Sequence, residues 1–189
     1  MAVEIERKFL VVSDDWRAQA QRSQRLVQGY LTTLGNVSGA QADESREGSA
    51  EGVRRESGVP GPTCSVRVRA GGDGAWLNIK SAIAGIERRE YEYAIPLTDA
   101  ELMLAEFCPG KVEKVRHYVP MAGVMFEVDE FLGDNAGLVV AELELQSLAD
   151  EFPRPPWLGL EVSDRPRYYN AHLLRHPYSR WNARERAGD

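Results

Sequence analysis

Hydrophobic and polar residues alternate along most of this chain with the two-residue period that is typical of β-strands. The first such segment runs from Val3 to Leu10 and places the charged side chains of Glu4, Glu6 and Lys8 on one face, opposite an apolar face. Seven later segments share this period and lie at 25–34, 65–69, 75–80, 86–95, 111–120, 124–132 and 138–146. The pattern therefore predicts a β-rich chain with eight strands.

The stretches between and after these strands carry helix signals. We predict one helix over 14–20, a second that begins with a capping box at Thr98 and Glu101, and a third over 167–175. Residues 36–62 are rich in Gly, Ser, Glu and Arg and follow neither a helical nor a strand period. We therefore expect a flexible insertion there.

The composition is ordinary for a globular protein, with 28% charged and 43% hydrophobic residues in a chain of 189 residues. This length suits one domain, which we place over 1–178, with a polar C-terminal tail over 179–189. No stretch approaches the ~18 apolar residues of a membrane span, and the first residues lack the layout of a signal peptide. We expect a cytoplasmic protein with no membrane partner. The net charge of −6 also argues against nucleic acid as a partner.

Charged residues, mostly of one sign on each strand, recur at every second position on most of the predicted strands. The acids on these faces are Glu4, Glu6, Glu90, Glu92, Glu127, Asp129, Glu142 and Glu144, and the bases are Lys8, Arg67, Arg69, Lys80, Arg88, Lys114 and Arg116. Neighbouring like charges repel, so a face that served only solubility would gain nothing from them. A triphosphate with its metal ions removes the conflict, because Arg and Lys suit phosphate oxygens and carboxylates suit Mg²⁺ or Mn²⁺. The alternative for any one strand alone is a charged face in contact with water.

Eight antiparallel strands are enough to close a barrel that holds one small ligand. The charged faces would line its interior, and the helices would cover the apolar outer faces. We therefore predict a β-rich α+β fold, a closed eight-stranded antiparallel β-barrel with helices packed outside.

The opening Glu4-Ile5-Glu6-Arg7-Lys8 resembles the Glu-x-Glu-x-Lys signature of the CYTH domain, whose members are called triphosphate tunnel metalloenzymes. The resemblance continues in order through Gln28-Gly29-Tyr30-Leu31, Arg67-Val68-Arg69, Lys80, Glu90-Tyr91-Glu92, Glu113-Lys114-Val115-Arg116, Phe126-Glu127-Val128-Asp129, Glu142-Leu143-Glu144 and Pro155-Pro156-Trp157. It covers about residues 2–174, and the likeness is to the short bacterial tripolyphosphatases of the family. Those relatives lack the long insertion at 36–62, which leaves the route of substrate access open.

The resemblance implies a triphosphate tunnel in which inorganic tripolyphosphate is hydrolysed to pyrophosphate and phosphate with the help of Mg²⁺ or Mn²⁺. The predicted substrate-binding residues are Lys8, Tyr30, Arg67, Arg69, Lys80, Lys114 and Arg116. The predicted metal ligands are Glu4, Glu6, Glu127, Asp129, Glu142 and Glu144, while Glu90 and Glu92 would orient neighbouring cations. Lys8, Lys114, Arg116 and Glu144 are the predicted catalytic residues.

Two alternatives remain at this point. The first is a nucleotide or thiamine triphosphatase, or an adenylate cyclase of the class IV type. The second is a polyphosphate-binding module without catalysis. In each case the partner is a small triphosphate compound, and the sequence leaves the oligomeric state open.

Overall fold

The computed structural model describes residues 2–32, 64–72, 74–81 and 87–188, without the side chains of residues 2–4, 87 and 88. The insertion predicted over 36–62 lies outside the described residues. Within the described ranges the strands are β1 (Ala2–Val11), β2 (Arg22–Tyr30), β3 (Cys64–Gly71), β4 (Gly74–Ser81), β5 (Glu87–Ile95), β6 (Lys111–Met121), β7 (Val124–Phe131), β8 (Val139–Leu145) and β9 (Leu158–Glu161). The α-helices there are α1 (Leu97–Glu106), α2 (Asn170–Leu173) and α3 (Ala183–Arg186).

All nine strands belong to one antiparallel sheet, in the order β5-β4-β3-β2-β6-β7-β8-β1-β9. One edge of β1 pairs with β8 from Ile5 to Leu10. The other edge pairs with β5 at Ala2–Ile5 and with β9 at Phe9 and Val11.

The prediction of a closed eight-stranded barrel is therefore wrong. The sheet has nine strands, and β5 and β9 divide one edge of β1 between them. Because β5 pairs with β1 only at Ala2–Ile5, the sheet is not closed along the length of that strand. The physical reason is β9, whose four residues are too few to show a two-residue period but bind β1 where β5 has ended.

Two helix predictions are also corrected. Helix α1 begins after Pro96, and no side chain caps its N-terminus, so Thr98 and Glu101 do not form the predicted capping box. The helix predicted over 167–175 is instead a 3₁₀ turn at Pro166–Tyr168 followed by the single turn of α2.

Apolar clusters cover the outer face and one end of the sheet. Helix α1 packs Ala100 and Leu104 against Val68 and Ala75 of the β3–β4 hairpin. Another apolar group joins Trp16 and the Pro-rich connector around Trp157 to β1, β6, β7 and β8. In the segment predicted as a polar tail, Trp181 is 4% exposed and packs edge-on against aromatic rings of the preceding segment.

Candidate active site

Strand register brings the charged faces of β1, β6, β7 and β8 together. Lys8 lies opposite Glu142, Glu142 lies opposite Glu127, and Arg116 lies opposite Asp129. Residues directly opposite each other in an antiparallel pair project to the same face, so these side chains meet on one surface. We call the following residues the first cluster: Glu6, Lys8, Lys114, Arg116, Glu127, Asp129 and Glu142.

Arg116 is the centre of the first cluster. Its Nε and Nη2 atoms donate to the two carboxylate oxygens of Asp129, each at 2.7 Å, and Nη2 also donates to Glu142 at 2.6 Å. Its Nη1 atom contacts Glu127. These side chains, apart from that of Glu127, are less than a tenth exposed, so water screens their charges only weakly.

The two lysines of the first cluster extend this network on both sides. The Nζ atom of Lys8 contacts Glu142 and lies 3.3 Å from the carboxylate of Glu6, and that of Lys114 contacts Asp129. The buried carboxylates therefore each face more than one cation.

A second cluster lies on β3, β4 and β5 and consists of Arg67, Arg69, Asn78, Lys80, Glu90 and Glu92. Its ion pairs join Lys80 to Glu90 at 2.9 Å and Arg69 to Glu92 at 2.8 Å. Glu90 also lies 3.7 Å from Arg67. Both glutamates of this cluster thus contact neighbouring cations, and their orienting role stays a prediction.

Asn78 is a member of the second cluster that the charge pattern does not reveal. Its fully buried amide donates to Glu90 at 2.8 Å and to Glu92 at 2.6 Å. The sequence did contain one signal for Asn78: it lies two residues before Lys80 on the same strand, and so on the same face. In the structure it also lies opposite Arg67.

The pKa values of the two buried lysines are shifted in opposite directions. Burial alone would lower the pKa of Lys8, but the carboxylates of Glu142 and Glu6 raise it above its ordinary value. Burial and the charge of Arg116 lower the pKa of Lys114, although Asp129 opposes them. Lys8 is thus a firmly charged cation, whereas Lys114 holds its proton less tightly than a free lysine does.

Charges of the first cluster also act on a residue of the second. Burial and then Arg67 lower the pKa of Arg69, and the charges of Arg116 and Glu127 also act on it. Burial raises the pKa of Glu127, and nearby carboxylates add to this rise. By contrast, the pKa of Glu142 lies well below its ordinary value, because adjacent cations outweigh the effect of burial.

The site has an apolar end and an open end. On β7 the side chains on this face change from Phe131, which is buried, through fully buried Asp129 to Glu127, which is 34% exposed. On β8 they change in the same way from buried Val140 to exposed Glu144. The end that carries the exposed carboxylates is therefore the one in contact with water.

The predicted metal ligands are only partly assembled. Among the described side chains, no group of three His, Cys, Asp or Glu residues is placed to hold a metal ion. Asp129 and Glu142 contact cations instead, and the side chain of Glu4 lies outside the described part of the structure.

The remaining predicted residues lie at the edges of the site. Glu6 and Glu144 lie opposite each other on β1 and β8. Tyr30 is half-buried at the end of β2, opposite Arg67.

The helices in the described ranges are each too short or too polar to cross a membrane.

Comparisons with known proteins found a matching family and several similar proteins. The sequence pattern of the CYTH domain matches residues 63–176. An inorganic triphosphatase from Acetivibrio thermocellus is 37% identical over 94% of this chain and 97% of its own length. An inorganic triphosphatase from Nitrosomonas europaea is 33% identical over 90% of this chain and 95% of its own. Among solved structures, the inorganic triphosphatase NE1496 aligns with 92% of this chain and 95% of its own, at 30% identity and a TM-score of 0.58.

Proposed function

The chain belongs to the CYTH family, and from this premise we propose that it is an inorganic triphosphatase that hydrolyses tripolyphosphate to pyrophosphate and phosphate at the two charged clusters. The observation that carries the proposal is Arg116, a buried cation held by three carboxylates, two of which it shares with Lys8 and Lys114. A triphosphate carries several negative charges along a short chain, and rows of cations at strand spacing match it.

The cations proposed to bind phosphoryl oxygens are Lys8, Arg67, Arg69, Lys80, Lys114 and Arg116, with Tyr30 at the edge of the site. Without substrate their charges are balanced by carboxylates, which also fix their positions before substrate arrives. Phosphoryl transfer relies on positioning and on stabilising the charge that develops on oxygens in the transition state. We place Lys8, Lys114 and Arg116 in that role.

The donor set suits Mg²⁺ or Mn²⁺, because every candidate ligand is a carboxylate oxygen. The raised pKa of Glu127 supports this fit, since a buried acid beside other acids is relieved by a cation. The residues that would hold the metal are Glu4, Glu6, Glu127, Asp129, Glu142 and Glu144. A metal bound there supplies Lewis-acid activation of phosphate and a lowered pKa for water.

The exposed carboxylates at the open end are proposed to handle the attacking water. Glu144 is exposed and lies opposite Glu6, so both carboxylates face the side from which water arrives. We assign Glu144 to orienting this water and accepting its proton.

The proposed partner of the protein is a small triphosphate. Its cytoplasmic location and the absence of a nucleic-acid partner stay predictions from the sequence.

The test measures release of phosphate and pyrophosphate from tripolyphosphate, ATP and thiamine triphosphate, each with Mg²⁺ or Mn²⁺. We expect tripolyphosphate to have the highest kcat/KM, and Arg116→Ala to lower it by roughly a hundredfold or more, because a buried transition-state donor is lost.

The matched control is Arg25→Ala on the neighbouring strand. Arg25 is 66% exposed and pairs with Glu113 away from the site, so its removal should leave kcat/KM unchanged. A clear preference for an organic triphosphate, a cyclic nucleotide product, or binding without phosphate release would contradict the proposal.

A further inference from the structure

Gln28 presents a buried hydrogen-bond donor that the protein leaves unused. The residue is 1% exposed near the end of β2, and within the described ranges its Nε2 atom has no hydrogen-bond partner. Nearly all buried polar side-chain atoms in native proteins have a partner. An unused amide in this position therefore points to an acceptor that arrives with a ligand.

The register of β2 places Gln28 on the same face as the charged clusters. It lies directly opposite Arg69 on β3 and Val112 on β6. The adjacent positions on the same face of β2 lie opposite cations too, with Tyr30 opposite Arg67 and Leu26 opposite Lys114. Gln28 thus sits in the basic part of the site.

Asn78 shows what a buried amide does when the protein supplies the acceptors. It lies on the same face, and its amide nitrogen donates to the carboxylates of Glu90 and Glu92. No carboxylate lies opposite Gln28 on either neighbouring strand. The acceptor that matches Gln28 is therefore an anionic oxygen from outside the chain.

We propose that Gln28 is a further substrate-binding residue, whose side-chain amide donates a hydrogen bond to a phosphoryl oxygen of the bound triphosphate. This inference rests on the proposed function. The amide is neutral, so it fills a space between cations without adding to their mutual repulsion. Because Gln28 lies on a strand and is 1% exposed, its amide is held in one position, so its hydrogen bond is made to the substrate in both the ground state and the transition state.

The test is Gln28→Met, which keeps the length of the side chain and removes the donor. We expect KM for tripolyphosphate to rise roughly tenfold, because the lost hydrogen bond involves a charged acceptor. The value of kcat should change little, since the interaction is made equally before and during reaction. The melting temperature without substrate should stay the same or rise, because an unpaired buried donor has been removed.

Gln24→Met is the matched control. Gln24 lies on the same face of the same strand, but its amide already donates to the Tyr118 hydroxyl at 2.6 Å. Its replacement should leave KM for tripolyphosphate within about twofold of the wild-type value, since no donor to the substrate is lost.

A second variant, Gln28→Glu, replaces the donor with an acceptor of the same shape. It should weaken binding of a non-hydrolysable imido analogue of tripolyphosphate, measured by calorimetry, more than Gln28→Met does. An unchanged KM in Gln28→Met, while the wild-type enzyme turns over tripolyphosphate, would overturn the role of Gln28 alone. A fall in melting temperature of several degrees would overturn it as well, by assigning Gln28 to the core. A wild-type protein that does not hydrolyse tripolyphosphate is a failure of the proposed function instead.

Discussion

At the scale of single residues, Glu127 holds its proton more tightly than a free glutamate does. Burial raises its pKa, the carboxylates of Glu142 and Asp129 add to the rise, and Arg116 opposes it only in part. A carboxyl group must lose its proton before it binds a cation. Metal-dependent activity that uses Glu127 is therefore present above this raised pKa and is lost as the pH falls through it.

We predict that kcat/KM for tripolyphosphate falls on the acidic side of its pH profile at a pH above the ordinary glutamate pKa of ~4.3. Because metal and proton compete for the same carboxylate, a roughly tenfold increase in Mg²⁺ should move this fall to lower pH by up to about one unit. The side chain in Glu127→Gln cannot ionise, so that variant should lose the metal-dependent movement. A wild-type fall that does not move with Mg²⁺ would contradict the assignment.

The charged residues of the site could be predicted from the sequence, whereas its amide residues could not. Lys114, Arg116 and Asp129 stand out because like or paired charges at every second position have no structural reason on an ordinary strand. Asn78 and Gln28 share the same parity, but an amide is equally common on outer faces and in turns. Only burial and hydrogen-bond partners distinguish them.

At the scale of elements, β1 is held from both sides, and its contact with β9 includes an ion pair. Arg7 donates from Nε to Glu161 at 2.8 Å, and its Nη2 atom contacts the second carboxylate oxygen. Ser163 donates to the same glutamate at 2.8 Å. The hydrogen bonds from Arg7 and Ser163 lower the pKa of Glu161, although burial opposes them.

We predict that Glu161→Gln lowers the free energy of unfolding at pH 7 by about 1 kcal/mol, because a two-point charged contact becomes a weaker neutral one. A lowered pKa in the folded state means that this stabilisation is present above the ordinary glutamate pKa of ~4.3 and is lost as the pH falls through the folded value. Urea unfolding at neutral pH and near pH 3 should therefore show a difference between variant and wild type that shrinks in acid.

Glu113→Gln serves as the control for this measurement, because its partner Arg25 is 66% exposed and the pair contributes little. A loss in Glu161→Gln that is the same at both pH values would contradict the electrostatic explanation and indicate a change in packing.

Element prediction succeeded where period and length were both available. The sequence predicts β6 over 111–120, and the structure has Lys111–Met121, because the segment is long and places Lys114 and Arg116 two residues apart between valines. The four-residue β9 has too little pattern, and its pairing with β1 depends on tertiary contacts. The capping box at Thr98 failed because Pro96, with its extended backbone, starts the helix two residues earlier.

At the scale of the whole molecule, the described cations of the site are matched by carboxylates without a ligand. These cations are Lys8, Arg67, Arg69, Lys80, Lys114 and Arg116, and the described carboxylates are Glu6, Glu90, Glu92, Glu127, Asp129, Glu142 and Glu144. A bare tripolyphosphate has to displace carboxylates from their cations and leaves those acids facing one another. Metal ions neutralise the released acids, so substrate and metal should bind cooperatively.

This balance leads to a prediction about ligand-induced stability. A ligand that binds only the folded protein raises its melting temperature, and the rise grows with the ratio of ligand concentration to Kd. We expect a non-hydrolysable imido analogue of tripolyphosphate alone, or Mg²⁺ alone, to raise the melting temperature by little. Together they should raise it by more than the sum of the separate shifts, because each removes the repulsion that opposes the other.

The matched variant for this experiment is Glu142→Gln, which removes the carboxylate that Lys8 and Arg116 share. With one buried acid fewer, the analogue alone should raise the melting temperature more than it does in the wild type, and the additional effect of Mg²⁺ should be smaller. Additive shifts in the wild type would mean that phosphate and metal bind independently. In that case the carboxylates between the cations would serve to hold the apo site together and would not couple substrate binding to metal.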